Sequence, residues 1–192
     1  MSDSILDTTT LDPRAKPLID ALQNEYATRY EPYRKDGGAA AAQEMKRYPP
    51  EAFAPPHGAF VLLLRDGAAI AGGAFKRYDE RTAELKRIWT RDDVRRQGLA
   101  RKIVQALELR ALNQGYTRVY LTTGFRQPEA WGLYSDCGYT SLFDSAVEPE
   151  VLVQLRYGKD LLEPGRTDTL DDLYSKEPTL VAHDSSSIAS PD

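Results

Sequence analysis

The chain has 192 residues, of which 41% are hydrophobic and 28% are charged, and this length is enough for one domain with a sizeable core. The formal net charge is −4 at pH 7, and no apolar run approaches the roughly 18 residues that a membrane-spanning helix needs, which excludes a transmembrane protein. A single cysteine, Cys137, excludes an intramolecular disulfide framework, and the distant His57 and His183 give no metal-ligand spacing, so we expect no bound metal.

Charge is unevenly distributed along the chain. Residues 163–192 hold seven acidic and two basic side chains, a net charge of −5, which leaves +1 of the total −4 for residues 1–162. Because the lysines and arginines of the rest of the chain are scattered and form no basic stripe, we expect no nucleic-acid partner. The first twenty residues carry four aspartates and no apolar signal-peptide segment, which favours a cytoplasmic protein without a membrane partner.

The composition changes near residue 162, and this change predicts a domain boundary. Residues 1–162 would form the folded domain. Residues 163–192 would form an acidic and mainly disordered tail, because they hold too few apolar side chains to offset the entropy of ordering. A turn docked on the domain remains open as an alternative for part of this tail, through Leu170, Leu173 and Tyr174.

The amino-terminal part predicts one short strand followed by helices. A strand is expected at residues 4–7 and an amphipathic helix at about 14–30, with Asp12 as its cap and Pro13 in its first turn. A second, shorter helix is expected at residues 39–48, where prolines then stop it.

Three apolar segments then predict an antiparallel meander of strands at residues 59–64, 69–75 and 83–89. The first two are separated by a turn that contains Asp66 and Gly67, a pair that favours the positive φ angles of a tight hairpin.

The following segment predicts a parallel crossover. An apolar face at helical spacing begins at Leu99, Gly115 ends that helix, and β-branched residues at 118–123 predict a strand parallel to the third meander strand. A further helix would begin at Pro128, and the last strands are expected at residues 139–142 and 151–157.

The start of the crossover helix predicts a phosphate site. The segment before and into it reads Arg95, Arg96, Gln97, Gly98, Leu99 and Ala100. A helix start leaves about four backbone N–H groups without partners, Gly98 lets an anion approach the backbone, and Arg101 adds positive charge at the rim. The segment lacks the Lys-Ser/Thr of a nucleotide P-loop and the three-glycine spacing of a dinucleotide fold, so it favours another pyrophosphate ligand.

A second motif follows the fifth strand and reads Gln127-Pro128-Glu129-Ala130-Trp131-Gly132-Leu133-Tyr134-Ser135-Asp136-Cys137-Gly138-Tyr139. In order and spacing, the two motifs resemble those of the GNAT superfamily of acyl-CoA-dependent N-acetyltransferases, over roughly residues 3–160. The resemblance implies an α/β (α+β) GNAT fold: a mixed, mostly antiparallel twisted sheet with helices on both faces and a splay between strands 4 and 5. It also implies direct transfer of an acetyl group from acetyl-CoA to the primary amine of a small molecule in a ternary complex.

The resemblance also assigns expected roles to residues. The backbone of Ile88, Trp89 and Thr90 would pair with the pantetheine arm, and the splay would open near Thr122 and Thr123. The pyrophosphate would bind at Arg95, Arg96, Gln97, Gly98, Leu99, Ala100 and Arg101.

Two residues have implied catalytic roles. Tyr134 would protonate the leaving thiolate, and Glu84 would deprotonate the amine through water. For each residue an ordinary structural role stays open: Tyr134 as a packed tyrosine, and Glu84 as a strand carboxylate paired with Lys86 or Arg77.

Other features are less specific. Ala100 stands where the family's motif ends in glycine, and an asparagine common near the start of the last family helix is missing at residues 128–130. An acceptor site would be shaped by Tyr26, Arg29, Tyr30, Tyr33 and Tyr48. A protein or peptide acceptor, a non-catalytic acyl-CoA-binding regulatory module and a homodimer all remain open.

Overall fold

The computed structural model describes residues 2–29, 45–152 and 154–174. Its seven strands form one sheet, and they are β1 (Asp3–Thr8), β2 (Ala59–Arg65), β3 (Ala68–Arg77), β4 (Thr82–Thr90), β5 (Arg118–Gly124), β6 (Thr140–Ser141) and β7 (Gln154–Asp160). The strand order is β1-β2-β3-β4-β5-β7-β6, and every neighbouring pair is antiparallel except β4 and β5, which are parallel. The predicted mixed, mostly antiparallel sheet is confirmed.

Helices cover both faces of this sheet. They are α1 (Lys16–Arg29), α2 (Leu99–Asn113), α3 (Pro128–Asp136), α4 (Pro149–Leu152) and α5 (Asp171–Tyr174). On one face, Ile103 and Leu107 of α2 are buried in a cluster with side chains from β2 to β5 and β7. On the other face, Leu18 and Leu22 of α1 pack with the alternate side chains of β2 to β4. Two cores on opposite faces therefore hold the sheet between α1 and α2.

The meander follows the local signals of the sequence. Asp66 and Gly67 both have positive φ, 51° and 82°, as a two-residue hairpin between β2 and β3 requires. Gly115, with φ of 90°, follows α2 and leads into β5. These predicted elements are confirmed to within one or two residues.

The carboxyl-terminal strands differ from expectation. Residues 149–152 form the short helix α4, so the predicted strand at 151–157 is wrong in its first half, and β7 instead runs from Gln154 to Asp160. Pro149 has a φ already suited to a helical first turn, whereas β7 is defined by its antiparallel pairing with the whole of β5. The strand expected at 139–142 is limited to Thr140–Ser141.

The segment after β7 packs against the sheet. Leu170 and Leu173 are buried with Tyr120 and Leu142, so the docked turn that the sequence left open is present. Arg118 is only 2% exposed, and its guanidinium donates to Thr82 Oγ1 at 3.0 Å and to both carboxylate oxygens of Asp172. These contacts attach the segment after β7 to the end of the sheet where β4 and β5 are paired.

Some predictions fall outside the described residues. Most of the expected helix at 39–48 lies there, as do Tyr30, Tyr33 and the tail beyond residue 174, so the boundary at 162 stays a prediction. Within the described ranges, no helix has the length and apolar character needed to cross a bilayer.

Candidate active site

The parallel strands β4 and β5 separate after a short contact. Their pairing covers only three residues of each strand, from Thr82 opposite Arg118 to Glu84 opposite Tyr120. Beyond these pairs, β4 stays paired with β3 as far as Thr90, and β5 stays paired with β7 as far as Gly124. The predicted splay is therefore present, and each strand offers an edge without a strand partner on the side of the gap.

A bulge in β4 accounts for part of this separation. Arg87 has φ of 60°, and the register with β3 shifts between Gly72 and Ala74. An extra residue on one strand bends it and increases its twist, which turns β4 away from its parallel neighbour. A non-glycine residue in this region of φ costs about 1 kcal/mol, and such strain is concentrated at functional sites.

The residues expected to contact the pantetheine arm lie on the open stretch of β4. Ile88 and Trp89 direct their side chains into the cores on opposite faces, and Trp89 is paired through its backbone with Gly72. Thr90 pairs with Ala71 at the end of the strand. Because successive residues of a strand direct their backbone N–H and C=O groups to opposite edges, this stretch offers the gap the backbone of alternate residues, as a strand-like ligand contact requires. Across the gap, Thr122 is half-buried on β5, opposite Arg156 of β7.

The turn before α2 carries a group of backbone amides without partners. Arg96 and Gly98 have positive φ, 62° and 73°. Within the described part of the chain, no backbone or side-chain oxygen accepts from the amides of residues 96–101, and the helix has no side-chain cap. Because α2 is 15 residues long, its dipole adds partial positive charge at this end. The turn is therefore a suitable site for a phosphate anion.

The charged side chains around this turn are held in surface ion pairs. Arg95 contacts Asp92 at 2.6 Å, and Arg101 contacts Asp136 at 3.1 Å. Exposed pairs of this kind contribute about 0–1 kcal/mol, so a diphosphate can replace the carboxylates at small cost. Gln97 accepts from Arg65 at 3.2 Å. Leu99 is buried in the core and Ala100 is half-buried, so Leu99 offers a ligand only its amide.

Tyr134 lies on α3 and is nearly buried. Its ring contacts the rings of Tyr139 and Tyr157, with centroids 5.7 Å and 5.8 Å away. Burial raises the pKa of the Tyr134 phenol well above its usual range, and the nearby Tyr26 of α1 adds to this shift. The packed role that the sequence left open is present, and the phenol is protonated at neutral pH.

Glu84 lies where β4 and β5 part, and two lysines hold its carboxylate. Lys76 of β3 contacts Oε2 at 2.7 Å, and Lys86 of β4 contacts Oε1 at 2.8 Å. Burial acts to raise the pKa of Glu84, but the two ammonium groups outweigh burial, and the pKa lies below its usual value. The ion pair expected with Lys86 or Arg77 therefore forms with Lys86 and, on β3, with Lys76.

A pocket opens beside the free stretch of β4, on the face that α1 covers. It is a shallow depression that opens to solvent and encloses little space, and its lining residues are Tyr26, Met45, Tyr48, Phe53, Lys86 and Arg87. The guanidinium of Arg87 lies 4.4 Å from the ring centroid of Phe53 and donates to the carbonyl of Met45. Tyr26 and Tyr48 were expected at an acceptor site from the sequence, whereas Lys86 and Arg87 were not expected to line it. Their signal was a run of charged side chains inside an otherwise apolar strand.

A set of polar contacts, also missed, ties α1 to the loop after β5. The side chain of Gln127 accepts from Thr123 Oγ1 at 3.0 Å and donates to Glu25 at 2.9 Å. Arg29 contacts Glu129 at 2.5 Å. These contacts attach the end of α1 to the loop after β5, and Tyr26 of α1, which lines the pocket, lies near enough to Tyr134 to help raise its pKa.

Comparison with known proteins agrees with this geometry. The profile of the acetyltransferase (GNAT) family matches residues 19–139. No curated protein is significantly similar in sequence.

Solved structures share the fold at low sequence identity. The PaiA N-acetyltransferase of Thermoplasma acidophilum, solved in complex with coenzyme A, is 14% identical with a TM-score of 0.63, over 83% of this chain and 99% of that one. A GNAT family acetyltransferase of Elizabethkingia anophelis with acetyl-CoA bound is 16% identical with a TM-score of 0.55, over 82% and 97%. An acetyltransferase of Streptococcus agalactiae is 19% identical with a TM-score of 0.61, over 82% and 98%.

Proposed function

Because the chain belongs to the GNAT family of acetyltransferases, we propose that it transfers an acetyl group from acetyl-CoA to the primary amine of a small molecule. The family consists of acyltransferases, and similar folds have been solved with coenzyme A or acetyl-CoA bound. Acetyl as the acyl group, nitrogen as the acceptor atom and a small acceptor are the parts that we propose.

One observation carries the proposal. The partnerless amides of residues 96–101 and the open edge of β4 follow each other along the chain, so a single extended ligand can use both. A diphosphate fits the first feature and an amide-containing arm fits the second. An acyl-CoA has both groups in this order, with its thioester at the far end of the arm.

The reaction follows from placing that thioester in the gap. The neutral amine attacks the thioester carbonyl, and a backbone N–H near Ile88 stabilises the oxyanion. The new C–N bond forms and the C–S bond breaks, which releases a thiolate. The nitrogen, positively charged after the attack, gives up one proton, which replaces the proton that Tyr134 donates to the sulfur. Tyr134, protonated because burial raises its pKa, then donates a hydrogen bond and a proton to the sulfur.

Glu84 is the proposed general base, which removes a proton from the acceptor amine. Its carboxylate is ionised at neutral pH, because the lysines lower its pKa, and a water next to it would carry the proton from the amine. A base with a lowered pKa takes a proton less readily, just as an acid with a raised pKa, such as Tyr134, gives one up less readily. Glu84→Gln tests the role: if Glu84 is the base, activity falls and the loss is smallest at high pH, where free amine is abundant.

Calorimetry with acetyl-CoA and coenzyme A, followed by a thiol-release assay over a panel of amines and short peptides, tests the proposal. We expect micromolar binding and release of thiol with a small amine. Absence of binding at millimolar ligand would contradict the proposal. Binding without thiol release over the whole panel would favour a regulatory module, and release only with peptides would favour a protein acceptor.

A further inference from the structure

The charged cluster behind the pocket contains more positive than negative charge. Lys76 and Lys86 share the single carboxylate of Glu84, through ion pairs of 2.7 Å and 2.8 Å. The side chains of the two lysines are 13% and 18% exposed, and that of Glu84 is 8% exposed. Solvent screens charges this well buried only weakly, so the cluster presents a net charge of about +1 to its surroundings.

Both lysines of this cluster lie at the wall of the pocket. Lys86 itself lines the pocket, and Nζ of Lys76 lies 4.7 Å from the ring centroid of Tyr48, which forms another part of the wall. Arg87 also lines the pocket, where its guanidinium donates to the carbonyl of Met45 and lies over the ring of Phe53. Among the described residues that line the pocket, none is acidic.

The rest of the wall is apolar and aromatic. Tyr26, Tyr48 and Phe53 offer ring faces and edges, and Met45 adds an adaptable side chain. A pocket with this lining accepts an apolar body at one part of its wall and an anion at the other.

We propose that the acceptor is a small amine that carries a carboxylate on the same molecule beside an apolar body, and that Lys86 selects it. The inference rests on the function proposed above and names the acceptor class of that same site. The positive cluster offsets the carboxylate, and it also disfavours the protonated form of the reacting amine. A polycationic amine would meet net repulsion from the excess positive charge of this cluster.

Matched acceptors test this inference. Thiol release is measured at pH 8 with phenylalanine and leucine, each against its α-amide, and with spermidine. Each pair differs in the carboxylate and, through it, in the pKa of the amine, so kcat/KM is expressed per concentration of neutral amine. On that basis we expect the value for the acid to exceed that for the amide at least tenfold, and spermidine to be the poorest acceptor. Equal or higher kcat/KM for the amides, or for spermidine, would overturn the inference.

A charge-removing variant assigns the selectivity to Lys86. In Lys86→Gln, Glu84 keeps its contact with Lys76, and we expect the acid-to-amide ratio of kcat/KM to fall at least fivefold. Lys16→Gln is the matched control, because Lys16 is exposed at the start of α1, ten residues before Tyr26 and therefore about 15 Å along the helix. An unchanged ratio in Lys86→Gln, or an equal fall in both variants, would contradict the role of Lys86.

A binding measurement separates failure of this inference from failure of the proposed function. In the presence of coenzyme A, N-acetylphenylalanine should raise the melting temperature by about 2 °C more than its amide does, and Lys86→Gln should remove the difference. If coenzyme A itself does not bind, the proposed function fails. The inference alone fails if coenzyme A binds, neither phenylalanine nor leucine is acetylated, and N-acetylphenylalanine raises the melting temperature no more than its amide does.

Discussion

Replacing Tyr134 by phenylalanine removes one oxygen atom and leaves the aromatic ring in place. The ring packs against Tyr139 and Tyr157 in the core beside α2, and phenylalanine has nearly the same shape. We therefore expect the free energy of unfolding to change by less than about 1 kcal/mol. The substitution isolates the chemistry of the hydroxyl from the packing of the ring.

The expected effect on catalysis is larger. Proton donation by a positioned group contributes about 10²- to 10⁴-fold to a rate, so kcat should fall at least about a hundredfold, which corresponds to about 2.7 kcal/mol of transition-state stabilisation. The affinity for acetyl-CoA should stay within about threefold, because the proposed diphosphate and pantetheine contacts are made by the backbone of other elements.

The pH profile gives a second readout. Because burial raises the pKa of Tyr134, the phenol stays protonated beyond pH 10, so we expect no loss of wild-type activity from its ionisation between pH 7 and 9.5. Thiol release at saturating acetyl-CoA measures kcat, and calorimetry measures affinity. A kcat within twofold of the wild type would refute the role of the hydroxyl, and parallel losses of kcat and affinity would point to a distorted site.

Three further substitutions test the fold and its sites. Gly98→Ala forces a side chain into φ of 73° and should weaken acetyl-CoA binding about tenfold in calorimetry. Gly132→Ala is the control, because Gly132 lies on α3 with open space around it, and this variant should leave the affinity unchanged. Equal affinities of the two variants would remove the turn from the phosphate site. Leu170→Ala should cost about 2–4 kcal/mol in urea unfolding, against less than about 0.5 kcal/mol for the exposed Leu162→Ala, and matching values would mean that the segment after β7 adds nothing to stability. Glu84→Gln should destabilise the protein by about 2–4 kcal/mol at pH 7, because it leaves two buried ammonium groups without a carboxylate. Because folding lowers the pKa of Glu84, its contribution to stability is full above its ordinary pKa of 4.5 and is lost as the pH falls through the lower folded value. The difference in stability between wild type and variant should therefore shrink below pH 4.5, and a constant difference down to pH 2 would contradict this assignment.

Much of the fold was predictable because its signals are local. The hairpin at Asp66 and Gly67 and the helix start at Gly98 depend on φ angles that few residues tolerate, and such requirements can be read directly from residue type. The same holds for the apolar face of α2, whose helical period is independent of what it packs against. The pyrophosphate turn belongs to this local class, since its amides come from six consecutive residues.

Short apolar runs were harder to assign. The segment at residues 149–152 has the composition of a strand, but a proline at its first position and only four residues suit one turn of helix equally well. Pairing between β7 and β5 decides where the strand begins, and this pairing joins residues 30 to 42 positions apart. Docking of Leu170 was open for the same reason, because its burial depends on contacts with Tyr120 and Leu142, which are distant in sequence.

Residue types and their spacing along the chain were therefore sufficient for most of the order of elements, the class of the sheet and the location of the turn whose amides lack partners. The tertiary structure alone decided which charges meet: that Glu84 is shared by Lys76 and Lys86, and that Gln127 reaches Glu25 of α1. The physical reason is that an ion pair or hydrogen bond depends on distances of a few ångströms between side chains on different elements. Strand register, the bulge at Arg87 and the separation of β4 from β5 set those distances, and none of the three has a signal within one short stretch of sequence.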